Sequence, residues 1–254
     1  MTLRVMLAAI ECPKGDTAAN LASHESVLRA AREAGCRIAV FPEVSLSGYA
    51  NPVTHPEWLL SLDSPPVLAL AALTGRHGVA AVFGITEVSP DGVPYLTQVY
   101  ARDGAVQGFY RKRHLGEDEE AFTKGTEPAT FRLGTLTFGV AVCAEAGVDF
   151  PFDDPVAAGA KVVFLCSAPG LYGRRVTEDE WRAGFEWWES AGLADARRHA
   201  KRTGAWVAMA TQAGSTFDED FPGIAALIAP SGEVVSRLPD WRPGTLVVDV
   251  PVTA

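Results

Sequence analysis

Cysteine, cationic side chains and long apolar runs are all scarce in this 254-residue chain. Its four cysteines, Cys12, Cys36, Cys143 and Cys166, form no CxxC pair and no zinc-type pattern with a nearby histidine. The residues therefore predict no disulfide framework and no metal or other cofactor. Because thiols stay free in a reducing compartment, a cytoplasmic location is the simplest expectation.

The shortage of cations leaves the chain acidic, with 22 Lys and Arg against 31 Asp and Glu and a formal net charge of -9. Nucleic-acid binding depends on cationic contacts with phosphates, so this balance disfavours a nucleic-acid partner. The opening run "TLRVMLAAIEC" is too short for a signal peptide and predicts a first strand instead. No apolar run reaches membrane-spanning length, so we expect no membrane partner.

Strand-like and helix-like segments alternate along the chain, without an internal repeat or a low-complexity linker. Apolar spacing predicts a helix between residues 17 and 35 and a longer one from about Thr177 to Arg202. Asp-Gly turns between apolar runs predict an antiparallel meander near residues 90–111. Because several strands are apolar on both faces, we expect one mixed α/β domain, residues 1–254, with covered sheets.

Three residues capable of chemistry stand where apolar strands end: Glu43 in "VFPEVSLSGY", Lys112 in "FYRKRHL" and Cys143 in "GVAVCAEAG". Loops at strand ends are where α/β proteins build their sites. Taken singly, each residue also has an ordinary interpretation: a solvated glutamate, a surface lysine and a buried core thiol. The residues alone leave both interpretations open.

Together and in this order, the three residues resemble those of the nitrilase or carbon–nitrogen hydrolase superfamily, in its amidase-like branch. The likeness rests on "FPE" followed by "SGY", on "YRKRHL" and on "GVAVC", and it runs from the first strand to the last. It implies an α/β fold of the nitrilase type, a four-layer αββα sandwich. It also implies a homodimer or higher homo-oligomer, with contacts through the tryptophan-rich helix and the C-terminal strands.

The resemblance also implies hydrolysis of a small-molecule C–N bond, of amide or N-carbamoyl type, with water as the second reactant. Glu43 would take the proton of the Cys143 thiol, and Lys112 would favour the thiolate and bind the oxyanion. The backbone N–H of Ala144 would be the second oxyanion donor, and a thioester would form and be hydrolysed. Nitrile hydrolysis, acyl transfer and a non-catalytic small-molecule-binding relative remain alternatives.

The family often carries a second glutamate between the lysine and the cysteine, which helps to position substrate and lysine. Four acidic residues compete for that place here, namely Glu117, Asp118, Glu119 and Glu120. The distance to the following phenylalanine and glycine favours Glu119 as the fourth site residue. The others are interpreted as solvated charges or as charges near a helix N-terminus.

Two further features leave the substrate open. After the cysteine, the family commonly has an aromatic or small residue and then Asp, whereas this chain has Ala144 and Glu145. In the late helix, Trp181, Phe185 and Trp188 recur at helical spacing. A core-facing stripe is the favoured interpretation, and a tryptophan in a pocket wall or a dimer contact is the alternative.

Overall fold

The apolar runs with two buried faces become the strands of two large sheets. The computed structural model describes residues 2–251. Its strands are β1 (Thr2–Ala9), β2 (Ile38–Val40), β3 (Ala80–Val88), β4 (Pro94–Arg102), β5 (Ala105–Arg111), β6 (Thr130–Leu133), β7 (Leu136–Val142), β8 (Val162–Ser167), β9 (Trp206–Thr211), β10 (Gly214–Ser215), β11 (Asp220–Phe221), β12 (Ala225–Ile228), β13 (Val234–Arg237) and β14 (Gly244–Pro251). Its helices are α1 (Thr17–Glu33), α2 (Pro65–His77), α3 (Phe150–Ala157) and α4 (Glu178–Thr203), with short 3₁₀ helices at Pro56–Trp58 and Cys143–Gly147.

The two sheets have six strands each, in the orders β14-β1-β2-β3-β4-β5 and β13-β12-β9-β8-β7-β6. In each sheet three adjacent strands are parallel, β1-β2-β3 and β7-β8-β9, and antiparallel strands complete both sides. The predicted meander is present as β3, β4 and β5, which pair antiparallel in sequence. The small pair β10-β11 stands apart from both sheets.

The helices and the two sheets pack as four layers, with a buried apolar core between each pair of neighbouring layers. An inner cluster joins side chains of both sheets, such as Leu7 and Val40 with Phe138 and Phe164. Helices α1 and α2 cover the outer face of the first sheet, and α3 and α4 cover that of the second. Each fully buried Leu or Phe contributes about 1.5–3 kcal/mol relative to exposure. The αββα sandwich expected from the resemblance is therefore confirmed.

Helix α4 begins one residue after the predicted start because Thr177 caps it: its side chain accepts a hydrogen bond from the backbone of Glu180. It ends at Thr203, where Gly204 adopts the left-handed conformation at φ 70°. No helix within residues 2–251 combines the length and apolarity that crossing a membrane requires. All four cysteines are free.

The topology groups the carboxyl ends of four strands in two pairs, one pair in each sheet. Strand β3 is parallel to β2, strand β4 is antiparallel to β3, and strand β5 is antiparallel to β4. Two reversals restore the direction, so β5 runs parallel to β2. The loops after β2 and β5 therefore leave the same edge of the first sheet. Strands β7 and β8 are parallel neighbours in the second sheet, so their carboxyl ends also open together.

The loop after β2 lies directly on β3, and Gly84 permits that approach. A Cβ atom at Gly84 would stand 2.1 Å from the backbone nitrogen of Val44 and 2.8 Å from the carbonyl carbon of Glu43. The backbone N–H of Leu46 donates to the Gly84 carbonyl at 2.9 Å, which fixes the same contact.

We expect Gly84→Ala to lower the free energy of unfolding by about 1–3 kcal/mol, the usual effect of overpacking a buried contact. Denaturant unfolding measures the change. Gly244→Ala is the matched control, since the nearest atom to its new Cβ is 3.5 Å away. Equal stability of the two variants would contradict this account of the loop.

Candidate active site

Glu43 lies in the loop that follows β2, and the loop holds it under the surface. Its side chain is 3% exposed. The next residue, Val44, has φ 49°, a left-handed conformation that a β-branched residue adopts only when its surroundings impose it. Contacts with Gly84 and its neighbours impose that turn, which directs the Glu43 carboxylate toward the second sheet.

Lys112 directly follows β5 and is completely buried. Its Nζ atom lies 2.9 Å from Oε1 of Glu43 and 2.6 Å from Oε1 of Glu119. Its backbone is bonded on both sides, donating to Leu96 at 2.8 Å and accepting from Gly125 at 2.8 Å. The ordinary interpretation of a surface lysine is therefore wrong for this residue.

Glu119 is the acidic residue that the structure brings to the lysine. It is buried, and its second oxygen accepts a hydrogen bond from the backbone of Gly116 at 2.6 Å. Glu117, Asp118 and Glu120 are exposed. Geometry thus separates Glu119 from its three competitors, which sequence spacing alone did only weakly.

Cys143 directly follows β7 and opens a short 3₁₀ helix. Its φ of 45° turns the chain sharply at the strand end. Cys143 is half-buried, whereas the other three cysteines are buried. From the end of β8, the backbone N–H of Ala168 donates to Oε2 of Glu43 at 3.3 Å, which ties the glutamate to the second sheet beside the thiol.

The charges of this cluster change one another's protonation. Burial raises the pKa of Glu43 to about 7, even though Lys112 opposes the shift, and Glu119 adds to it. Burial alone would lower the pKa of Lys112, but Glu43, Cys143 and Glu119 together raise it above its ordinary value. The lysine is therefore charged, and Glu43 can exchange a proton near neutral pH.

Lys112 favours the Cys143 thiolate, but it does not alone set the resting state of this cysteine. Burial and the carboxylate of Glu43 raise the pKa of the Cys143 thiol, and the nearby Lys112 ammonium offsets only part of that rise. The resting cysteine is therefore a thiol. It becomes a nucleophile only if a neighbouring base removes its proton.

A cavity of about 670 Å³ opens onto Cys143 and Glu43, with Ala144 and Ala168 in its floor. This volume lies within the range of small-molecule sites. Aromatic side chains form much of the wall, including Tyr49, Tyr172, Trp187, Trp188 and Phe221. A second cavity, of about 270 Å³, is lined by other residues and contains none of the four site residues.

Both interpretations of the tryptophan-rich helix hold in part. Phe185 and Trp188 are buried in the outer core, as the favoured stripe requires, and Trp188 also lines the cavity. Trp187 lies outside the stripe, is 47% exposed and lines the same cavity. Periodicity missed it because it falls between the stripe positions. The expected homo-oligomer stays a prediction.

Residues 2–251 contain no group of three His, Cys, Asp or Glu side chains arranged to hold a metal ion. A family model described as carbon-nitrogen hydrolase matches residues 5–254.

Among curated proteins, the chain is similar to a glutamine-dependent NAD(+) synthetase of Xylella fastidiosa, 29% identical over 97% of this chain and 44% of the relative. It is also similar to a formamidase of Pseudomonas syringae pv. syringae, 28% identical over 65% of this chain and 43% of the relative. The chain therefore spans less than half the length of these relatives.

Among solved structures, an amidase of the nitrilase superfamily from Nesterenkonia AN1 superposes with a TM-score of 0.82. The identity is 22%, and the match covers 98% of this chain and 91% of that one. Another structure of the amidase from Nesterenkonia sp. AN1, with a TM-score of 0.80 and 22% identity, covers 98% of this chain and 90% of its own. It carries the acetamide moiety of fluoroacetamide on its active-site cysteine. These likenesses support the fold.

We expect iodoacetamide to label Cys143 before the three buried cysteines, because Cys143 is half-buried and lines the cavity. The labelling rate should rise steadily between pH 7 and 9, since the raised thiol pKa leaves more thiolate to be gained with pH. Peptide mapping after short exposures measures both effects. Cys166, which ends the neighbouring strand but is buried, is the internal control, and equal labelling of the two would contradict the assignment.

Proposed function

Because the chain belongs to the carbon-nitrogen hydrolase family, we propose that it hydrolyses the C–N bond of a small amide through a thioester on Cys143. The observation that carries the proposal is the buried cluster in which Lys112 contacts both Glu43 and Glu119, beside a half-buried cysteine. Buried charges are tolerated only when they are paired. Here the paired groups are a carboxylate and an ammonium beside a thiol, which are the groups that acyl transfer through a thioester uses.

The first half of the proposed reaction forms the thioester. The thiol of Cys143 gives its proton to Glu43, and the sulfur attacks the amide carbon. The negative charge that develops on the carbonyl oxygen is bound by the Lys112 ammonium and the Ala144 backbone N–H. The C–N bond then breaks, and Glu43 returns its proton to the leaving amine.

The second half releases the acid. Water gives a proton to Glu43 and attacks the thioester, and the C–S bond breaks as Glu43 returns that proton to the sulfur. A pKa of about 7 suits Glu43 to both directions of transfer near neutral pH, because it is neither too weak a base nor too weak an acid. Glu119 holds the lysine in place.

The cavity favours amides without negative charge. Among the described residues that line it, none is Lys or Arg, and the exposed carboxylates of Glu117 and Asp118 lie at its rim. Asp195 and Glu219 also line it, although Arg198 and Lys14 lie 3.3 and 3.5 Å from them. The carboxylate of an anionic substrate such as an N-carbamoyl amino acid would be repelled by these negative charges and would find no Lys or Arg in the cavity lining to pair with. We therefore propose neutral or cationic amides as the substrate class.

The names of two relatives support an amide over a nitrile, since one is called a formamidase and the other is glutamine-dependent. Acyl transfer would use the same thioester with an amine in place of water. A non-catalytic relative would have no need for a buried base beside a cysteine.

We expect whole-protein mass spectrometry to detect an acyl adduct on Cys143 when the protein is mixed with its amide. The panel should contain neutral, ammonium-bearing and carboxylate-bearing amides of matched size, with the last reacting most slowly. Cys143→Ser should remove the thioester adduct and turnover, and Cys166→Ser is the matched control that should keep both. An adduct that persists in Cys143→Ser, or none from any amide or nitrile, would defeat the proposal.

The pH profile tests Glu43 as the base. We expect kcat/KM to fall as the pH drops through about 7, because protonation of Glu43 removes the base. Glu119→Gln removes a negative charge that raises the pKa of Glu43, so the acidic limb should move to lower pH. Glu120→Gln makes the same change on an exposed neighbour and should leave the limb in place. A limb unmoved by Glu119→Gln would argue against this coupling.

A further inference from the structure

Glu145 is a fully buried carboxylate for which the proposed reaction has no use. One oxygen accepts hydrogen bonds from the Tyr110 hydroxyl at 2.7 Å and from the backbone N–H groups of Arg113 and His114 at 2.7 and 3.3 Å. The other oxygen accepts from the backbone N–H of Val142 at 2.9 Å. Four donors fill the acceptor sites of this buried carboxylate, so each of them is held by one side chain.

These donors belong to the two segments that carry the reactive groups. Arg113 and His114 directly follow Lys112, at the end of a strand of the first sheet. Val142 directly precedes Cys143, at the end of a strand of the second sheet. One side chain therefore bonds the backbone beside the ammonium to the backbone beside the thiol, across the contact of the two sheets.

The network requires a carboxylate. All four groups that face Glu145 are donors, and a carboxylate presents only acceptors. A glutamine of the same shape would direct its NH₂ group either at the Val142 N–H or at the three donors on the other side. Burial raises the pKa of Glu145, while the donors from Tyr110, Arg113 and Val142 oppose that shift.

A second contact holds the same loop. The Arg113 guanidinium donates to Asp154 of α3 at 2.6 Å and to the Tyr110 hydroxyl at 3.3 Å. The loop after Lys112 is thus anchored on the second sheet and its helix. The Arg113 contacts hold only the loop after Lys112. The hydrogen bonds of Glu145 reach the residues next to both Lys112 and Cys143.

We propose that Glu145 is a positioning residue that sets the distance between the Lys112 ammonium and the Cys143 sulfur. The inference rests on the proposed function, because it concerns the alignment of those two groups for attack. Its consequence is that the acid two residues after the cysteine acts on the rate of the chemical step, while substrate binding in the cavity is left to other residues.

The test compares Glu145→Gln with Tyr110→Phe. The phenylalanine variant removes the Tyr110 hydroxyl, which donates to the carboxylate and accepts from Arg113, but keeps all three backbone N–H donors to Glu145. It therefore reports the effect of losing a buried hydroxyl without breaking the links to the two segments. Glu145→Gln should lower kcat by on the order of 10²-fold, the effect of a small misplacement of reacting groups, with KM little changed. It should also slow iodoacetamide labelling of Cys143, since a displaced Lys112 stabilises the thiolate less. Tyr110→Phe should change both only slightly.

Glu145→Asp is the second variant, and it keeps the charge if the glutamine variant fails to fold. If both variants fold, Glu145→Asp should have a higher kcat and a faster labelling rate than Glu145→Gln. If only Glu145→Asp folds, its kcat and labelling rate should still be lower than those of Tyr110→Phe. The proposal is overturned if the folded Glu145 variants keep the kcat and labelling rate of Tyr110→Phe. The labelling readout needs no amide substrate, so it tests positioning even where wild type gives no acyl adduct and the proposed function itself fails.

Discussion

The buried ammonium of Lys112 is the constraint on which the site depends. A lysine with no exposed surface must be met by opposite charge, and here Glu43 and Glu119 supply it at 2.9 and 2.6 Å. Those carboxylates come from different loops, so the ion pairs fix both loops against the strand that carries the lysine. Removing one member of such a buried group typically lowers stability by about 3–5 kcal/mol, because the remaining charges stay buried. Folding and the proposed chemistry therefore depend on the same contacts.

Packing of the two sheets explains why these groups meet. Glu43 and Lys112 leave the first sheet and Cys143 leaves the second, so they converge only because the inner faces are joined by an apolar core. Polar contacts cross between the halves at this point: Ala168 donates to Glu43, Glu145 accepts from Tyr110 and from the loop after Lys112, and Arg113 donates to Asp154. The core holds the sheets together, and these bonds define how the strand ends align.

Strand periodicity predicted a mixed α/β domain with covered sheets. The four layers and the four candidate site residues came from the family resemblance, which rests on an ordered set of motifs that can be recognised without coordinates. Three features needed the structure. The raised pKa of the Cys143 thiol depends on burial and on the nearness of Glu43, which lies a hundred residues earlier in the chain. Three of the four contacts of Glu145 involve backbone N–H groups, which every residue except proline has and which no motif records. Trp187 reaches the cavity from a position that helical periodicity assigns to solvent.

A resting thiol at Cys143 keeps the charge of the buried cluster low. Were Cys143 a thiolate, the buried cluster would hold three negative groups around one lysine, at a large desolvation cost. With a thiol and a carboxylate, proton transfer to Glu43 leaves the total charge of the cluster unchanged while the negative charge moves to sulfur. In the proposed reaction, attack then moves that charge to the carbonyl oxygen, beside the Lys112 ammonium. A site that conserves its charge through each step can lie in a low-dielectric interior, and the same burial that raises the pKa of Glu43 makes it an adequate base.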